Sequence, residues 1–310
     1  MQIIKNDINI DFVGKRKLAF IVSGALILVG LISLVINGGP NYGIDFAGGT
    51  LVQVKFVDNT DAAKIKDSLA SLDLGSMVVQ RFGDDANEFL IRVQESTKEK
   101  DLSAMISGSL NTVYGDGKVD IRRVEMVGPQ VGKDLREKGL LSIAYAMIGI
   151  LIYISWRFEL RYAIGAIIAL LHDVLITIGA FSITGREIDL PIIAAFLAII
   201  GYSLNDTIIV YDRIRENYGK HKKEGFSKII NSSINETLSR TILTSGTTLL
   251  VVAALFIFGG GVIHNFAFAM LVGILVGTYS SIFVASPILI LWDDFRTGGQ
   301  KKVAAEGGAK

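Results

Sequence analysis

The chain has 310 residues, half of them hydrophobic, with a formal net charge of +1, no cysteine and three histidines. The near-neutral balance leaves no footprint for nucleic acid, and the lack of cysteine excludes disulfides, thiolate nucleophiles and Cys-type zinc sites. His172, His221 and His264 are scattered without HExxH spacing, so neither a metal nor another cofactor is expected.

Six segments meet the length and polarity criteria for membrane helices, at 18–36, 139–156, 162–183, 190–211, 241–258 and 266–292. The first follows Lys15-Arg16-Lys17 and imitates a signal peptide. Its apolar run is longer than a typical h-region, and Ile36-Asn-Gly-Gly-Pro40 is a poor cleavage site, so it reads as an uncleaved helix behind an N-terminus at 1–17.

Residues 37–136 are polar and alternate clearly. The pattern predicts strands at 50–57, 77–82, 88–93 and 119–127, helices at 61–72 and 102–114, and a Gly83-Asp-Asp turn between the middle strands. The order β-α-β-β-α-β is that of a ferredoxin-like split motif. The expected class is thus a polytopic α-helical membrane protein, with six transmembrane helices and an α+β domain between the first two. Gly43-Ile-Asp-Phe-Ala-Gly-Gly-Thr50 nearly spells a phosphate loop, but Gly49 stands where Lys is needed and a strand follows where a helix is needed. It reads as a glycine turn admitting the first strand. Val127-Gly-Pro-Gln-Val-Gly-Lys-Asp-Leu135 leads into the second membrane helix. Its Gly128, Pro129 and Gly132 read as a stiff joint or as a hinge coupling domain tilt to the helices.

Short-loop charges set the orientation. Lys5, Lys15, Arg16, Lys17, Arg157 and Arg161 fall on one side. So do Arg213, Arg215, Lys220, Lys222, Lys223 and Lys228 in a basic loop at 212–240, and Lys301 and Lys302 in a tail at 293–310. The opposite short loops hold only Arg186. Both termini are therefore expected in the cytoplasm and the 37–136 domain outside, in a multi-pass protein of the cytoplasmic (inner) membrane.

Asp206 is the costliest residue. The next charges are Asp212 and Arg213, so it lies roughly 9 Å inside the membrane edge at about 1.5 Å per residue. A carboxylate there costs about 2.5 kcal/mol or more, and the default reading is an ion or proton site. Tyr202, Asn205 and Arg213 are its neighbours on the same helix. Arg240, Thr244, Ser245 and Thr247 or Thr248 enter on the next helix at matching depth. A charge pair of Asp206 with Arg240, with hydroxyls and water beside it, suits proton transfer. The alternatives are a structural hydrogen bond for Asp206, snorkelling for Arg240 and Arg213, and close packing for the Thr/Ser cluster. His172-Asp173, in the third helix, is either a helix contact or a second-tier place on the proton route. Gly273-Ile-Leu-Val-Gly277 reads as close packing. An aspartyl-protease dyad would need Asp173 and Asp206 to share one site, and the glycine spacing of that class is missing.

At these residues the chain resembles the SecF family of the bacterial Sec protein translocase. The resemblance runs nearly end to end. It is carried by Gly43-Ile-Asp-Phe-Ala-Gly-Gly49, Val127-Gly-Pro-Gln-Val-Gly132, Trp156-Arg-Phe-Glu159, Ala169-Leu-Leu-His-Asp173, Ile200-Gly-Tyr-Ser-Leu-Asn-Asp-Thr207, Tyr211-Asp-Arg-Ile-Arg-Glu-Asn217 and Leu238-Ser-Arg-Thr241. It implies membership of the resistance-nodulation-division superfamily and a SecD-like partner supplying the other six-helix half. It also implies work beside the Sec channel complex on unfolded exported polypeptide, with protons as the coupling ion and no covalent catalysis. Asp206 and Arg240 fall on family positions associated with proton conduction. A half-transporter of a proton-coupled small-molecule exporter is the alternative, and a passive scaffold is a third reading.

Overall fold

The computed structural model describes residues 9–72, 74–75, 77–82, 87–93, 102–221 and 224–295. The Gly83-Asp-Asp turn and Lys5, Lys222, Lys223, Lys301 and Lys302 lie outside the described residues. In chain order, α1 (Arg16–Ile36) and a single-turn α2 (Ile44–Ala47) lead into β1 (Gly49–Phe56), α3 (Ala62–Leu69), β2 (Met77–Arg81), β3 (Glu88–Val93), α4 (Leu102–Tyr114) and β4 (Val119–Val127). Then come α5 (Pro129–Arg157), α6 (Leu160–Ile183), α7 (Leu190–Lys220), α8 (Phe226–Phe258) and α9 (Gly261–Ser280), which runs through a π turn at Ser281–Ala285. Six helices among the described residues are long and apolar enough to cross a membrane, the last spanning Ile263–Phe295.

The strands form one antiparallel sheet in the order β2-β3-β1-β4, the ferredoxin-like arrangement. Alternation decides its faces. Val52, Val54 and Phe56 of β1 and Phe89, Ile91 and Val93 of β3 turn to one side and pack on Ile65, Leu69, Ile106 and Leu110 of the two helices. Asp61 caps α3 through Lys64 N at 2.8 Å, which fixes where that helix starts. The other face, with Leu51, Gln53, Leu90 and Arg92, turns towards the bundle.

In the bundle, α6, α7 and the last helix form the buried centre, while α1, α5 and α8 leave most of their apolar surface uncovered. Small residues set the closest approaches. A Cβ on Gly30 of α1 would meet Gly179 Cα of α6 at 2.8 Å, and a Cβ on Gly273 of α9 would meet the Ile199 side chain at 2.4 Å. The π turn turns the Ala285 carbonyl to Tyr211 Oη of α7, 3.1 Å away.

Three helix ends differ from the sequence expectation by several residues. The second membrane helix begins at Pro129, with proline at its first position and Gly128 as an extended N-cap, so the joint is the first turn of that helix rather than a separate linker. The 212–240 stretch is mostly helical. Helix α7 continues to Lys220 and α8 starts at Phe226, so Arg240 lies inside α8 rather than opening a helix. Charge alone does not end a helix. Ile229, Ile230, Ser233, Ile234, Thr237 and Leu238 recur with helical spacing and are buried, giving the polar extension a packed stripe.

The glycine run at 43–49 makes the single turn of α2 and enters β1 through Gly48 and Gly49, at φ of 77° and 118°, a region that favours glycine. A Cβ on Gly48 would sit 2.9 Å from Pro129 Cα, and one on Gly132 would sit 3.0 Å from Gly48 N. The two glycine motifs therefore pack on each other where the chain enters and leaves the sheet. No helix follows the glycines to receive a phosphate.

Candidate functional site

Among the described residues two carboxylates are buried in the bundle, and each is 1% exposed. Asp206 projects from α7 towards α8. Its Oδ2 accepts a hydrogen bond from Ser245 Oγ at 3.0 Å, while Oδ1 has no partner. Thr278 Oγ1 of α9 lies 2.8 Å from Ser245 Oγ and 2.8 Å from the Ile274 carbonyl of its own helix. Thr241, one turn before Ser245 on α8, is also buried with an unpartnered hydroxyl. A buried carboxylate with one open oxygen retains the capacity to take another donor.

Asp173 on α6 is fully engaged. Its Oδ2 accepts from Ser203 Oγ at 2.6 Å and from Ser280 Oγ at 2.9 Å, and its Oδ1 lies 2.9 Å from His172 Nδ1. His172 Nε2 lies 3.0 Å from Ser23 Oγ of α1. Ser23 donates to Tyr279 Oη at 3.2 Å, and Tyr279 donates to the Ala19 carbonyl at 2.8 Å. The packing makes this network possible: a Cβ on Gly277 would lie 2.9 Å from Ser203 Cβ, so only glycine lets α9 bring Ser280 beside Ser203. Gly273 and Gly277 thus pack closely, as their spacing predicts, and they also shape the Asp173 site.

The other sequence candidates sort around these two. The contact pair of Asp206 with Arg240 is not made: Arg240 is exposed and acts on Asp206 only through space. Arg240 lies inside α8 on a position that is not part of its buried stripe. Asn205 is exposed and has no hydrogen-bond partner, because a residue adjacent to Asp206 is turned about 100° around a helix. Thr244 and Thr247 donate to carbonyls of their own helix, as does Thr248, which also accepts from Tyr202 Oη at 3.3 Å. These threonines support α8 rather than reach Asp206. Arg213 pairs with Glu216 and Glu236 at the bundle end away from the sheet. Asp173 and Asp206 share no hydrogen bond, so the protease dyad is not formed. Gly128, Pro129 and Gly132 form the joint beneath the sheet. Ser23, Ser203, Thr278, Tyr279 and Ser280 were not among the sequence candidates. The run Thr278-Tyr279-Ser280-Ser281, four hydroxyls inside an apolar helix, is the signal that marks three of them.

A family profile described as "Protein export membrane protein SecD/SecF, C-terminal" matches residues 106–294, and a second, "SecD/SecF GG Motif", matches residues 32–59. A protein of Magnetococcus marinus named protein translocase subunit SecF is 52% identical over 99% of this chain and 98% of its own. One of the same name from Vibrio alginolyticus is 46% identical over 93% of this chain and 91% of its own. The crystal structure of SecDF, a translocon-associated membrane protein from Thermus thermophilus, superimposes with a TM-score of 0.83 at 35% identity. That match covers 94% of this chain, and the chain spans 40% of the SecDF chain. A second structure, of SecDF in a super-membrane-facing form, matches with a TM-score of 0.70 over 96% of this chain and 40% of its own. With profile, relatives and fold in agreement over nearly its whole length, the chain belongs to the SecD/SecF family of protein export membrane proteins.

Proposed function

We propose that this chain works as an accessory subunit of the Sec protein translocase in the cytoplasmic membrane. It pairs with a SecD-like membrane half and uses the proton gradient to promote late steps of polypeptide export. Its termini lie in the cytoplasm and its sheet domain lies outside. Asp206 takes up and releases the proton, Ser245 holds one of its oxygens, and Arg240 supplies positive charge at a distance. The sheet domain, seated over the glycine joint at Gly48, Gly128, Pro129 and Gly132, transmits helix movement to the polypeptide. The mechanism is transport, with no covalent catalysis.

The observation that carries this reading is the asymmetry of Asp206: a carboxyl in a membrane helix, 1% exposed, with one oxygen bound and the other free. A buried carboxyl with one oxygen open keeps room for a further donor, a proton or a water among them. The uncovered faces of α1, α5 and α8 support a second membrane body beside this one. The test is precursor release from proteoliposomes holding the complete translocase under an imposed proton gradient. Asp206→Asn is expected to abolish the gradient-dependent part. Unchanged gradient dependence contradicts the reading.

A further inference from the structure

Thr278 has two acceptors for one proton. Its hydroxyl lies 2.8 Å from Ser245 Oγ and 2.8 Å from the Ile274 carbonyl, and Ser245 in turn lies 3.0 Å from Asp206. When Asp206 is ionised it can only accept, so the chain runs from Thr278 to Ser245 to Asp206. When Asp206 is protonated on Oδ2 it must donate. Ser245 then accepts from it and donates to Thr278, and Thr278 turns to the Ile274 carbonyl, whose second lone pair is available. No hydroxyl loses an acceptor in either state. We propose that Thr278 is a positioning residue for proton transfer, the switching terminus that lets the hydrogen-bond chain of Asp206 reverse direction as the carboxyl gains or loses a proton.

This inference rests on the proposed role of Asp206, and the experiment separates the two. Precursor release is measured against pH in Thr278→Ser, which keeps the hydroxyl, and in Thr278→Val, which keeps the shape. Thr278→Ser is expected to stay within about twofold of the parent. Thr278→Val is expected to lose about tenfold in gradient-driven rate, in line with one lost buried hydrogen bond, and to show a displaced pH profile. If Thr278→Val keeps the parent rate and profile while Asp206→Asn is inactive, this inference is wrong and the role of Asp206 stands. If both variants behave as the parent, the role of Asp206 fails as well.

The open face of the sheet meets the bundle through one acidic side chain. Glu187, in the loop between α6 and α7, forms an ion pair with Arg92 of β3, with both side chains 15% exposed or less. It also accepts from Gln80 Nε2 of β2 at 3.2 Å. On the other side of the sheet, the chain enters and leaves through adjacent residues, with Gly49 paired to Val127. The segment before it is tied down: Gly43 N donates to the Ile188 carbonyl at 2.8 Å, and Leu190 N donates to Asp45 Oδ2 at 2.9 Å. A cavity of about 590 Å³ lies between these attachments. Its lining carries Arg81, Arg92, Arg123 and Arg186 against Asp45, Glu125, Glu187 and Asp189, with Arg92 paired to Glu187 and Arg123 to Glu125 and Arg186 donating to Asn265 Oδ1, so it has no net sign. Buried Arg92 Nε, Arg186 Nε and Asp189 Oδ1 have no partner and line the same gap. We infer that Glu187 latches the sheet domain to the bundle, and that breaking its contacts with Arg92 and Gln80 tilts the domain about the glycine corner at Gly48–Gly49 and Gly128.

The chain has no cysteine, so spin labels can be placed at Val113→Cys of α4 and Ile183→Cys of α6, both exposed, in the full chain in bilayer nanodiscs. The label-to-label distance distribution is read in the parent, in Arg92→Glu, in Glu187→Arg and in the double charge swap. Each single variant is expected to broaden the distribution to longer distances, and the swap is expected to restore the parent distribution. Unchanged distributions in the single variants, or a swap as broad as either single, overturn the latch. The readout involves neither protons nor export, so its outcome is independent of the proposed function.

Discussion

Asp173 and Asp206 are equally buried and differ in almost everything else. Asp173 accepts from two serines and meets a histidine, and its network ties together α1, α6, α7 and α9. Asp206 holds one hydroxyl and leaves an oxygen free. Burial therefore does not separate the two carboxyls, while the count of donors does. An engaged carboxylate pins helices, and a half-engaged one can exchange its proton at little structural cost.

The sharpest break between the two sites is a double dissociation. Asp206→Asn is expected to remove gradient-dependent export completely while leaving unfolding stability within about 1 kcal/mol, because only one hydroxyl loses its charged acceptor. Asp173→Ala is expected to lower stability by about 3 kcal/mol or more, since Ser203, Ser280 and His172 all lose a partner. Denaturant unfolding in micelles measures both, and equal losses would erase the distinction. Gly30→Ala probes the α1 side of the Asp173 network. Its new Cβ meets Gly179 backbone at 2.8 Å, and a loss of about 1–3 kcal/mol is expected in the same assay.

A third carboxyl extends the comparison to the domain end. Asp189 lies outside the membrane spans, and burial, with Asp45 and then Glu187 nearby, raises its pKa to about 6. Arg186, Arg92, Arg123 with Glu125, Arg81 and His264 are the other charged or titratable groups around that cavity. If tilting hydrates Asp189 and returns it to its ordinary value, the docked state binds the proton more tightly. Docking is then strongest below about pH 4 and weakens as pH rises through 6. Between pH 7 and pH 5 the docked-to-tilted ratio is expected to rise by up to about tenfold, read from the spin-label distances, and Asp189→Asn should flatten the response. The smallest effect is expected at Asn205. It is exposed and unpartnered, so Asn205→Ala should change stability by less than about 0.5 kcal/mol.

The domain was legible because strand alternation and helix periodicity are local, and Val52, Val54 and Phe56 declare their face without reference to anything distant. Asp206 was legible because a charge in an apolar run is costly wherever it falls. Its partners were legible only in part. Ser245 was expected beside Asp206 and does donate to it, whereas Thr278, which reaches Ser245 from α9, was not, because nothing local in the sequence says which neighbouring helix a hydroxyl faces. Arg240 was misplaced because a basic stretch reads as a loop, whereas the buried stripe from Ile229 to Leu238 keeps it helical.

On the proposed function, Asp206 rather than Asp173 exchanges its proton. Infrared difference spectroscopy across a pH step, on the reconstituted translocase, tests it most directly. The expected result is a protonated-carboxyl band that changes with pH, disappears in Asp206→Asn and persists in Asp173→Asn. A band that survives Asp206→Asn and vanishes in Asp173→Asn would contradict it.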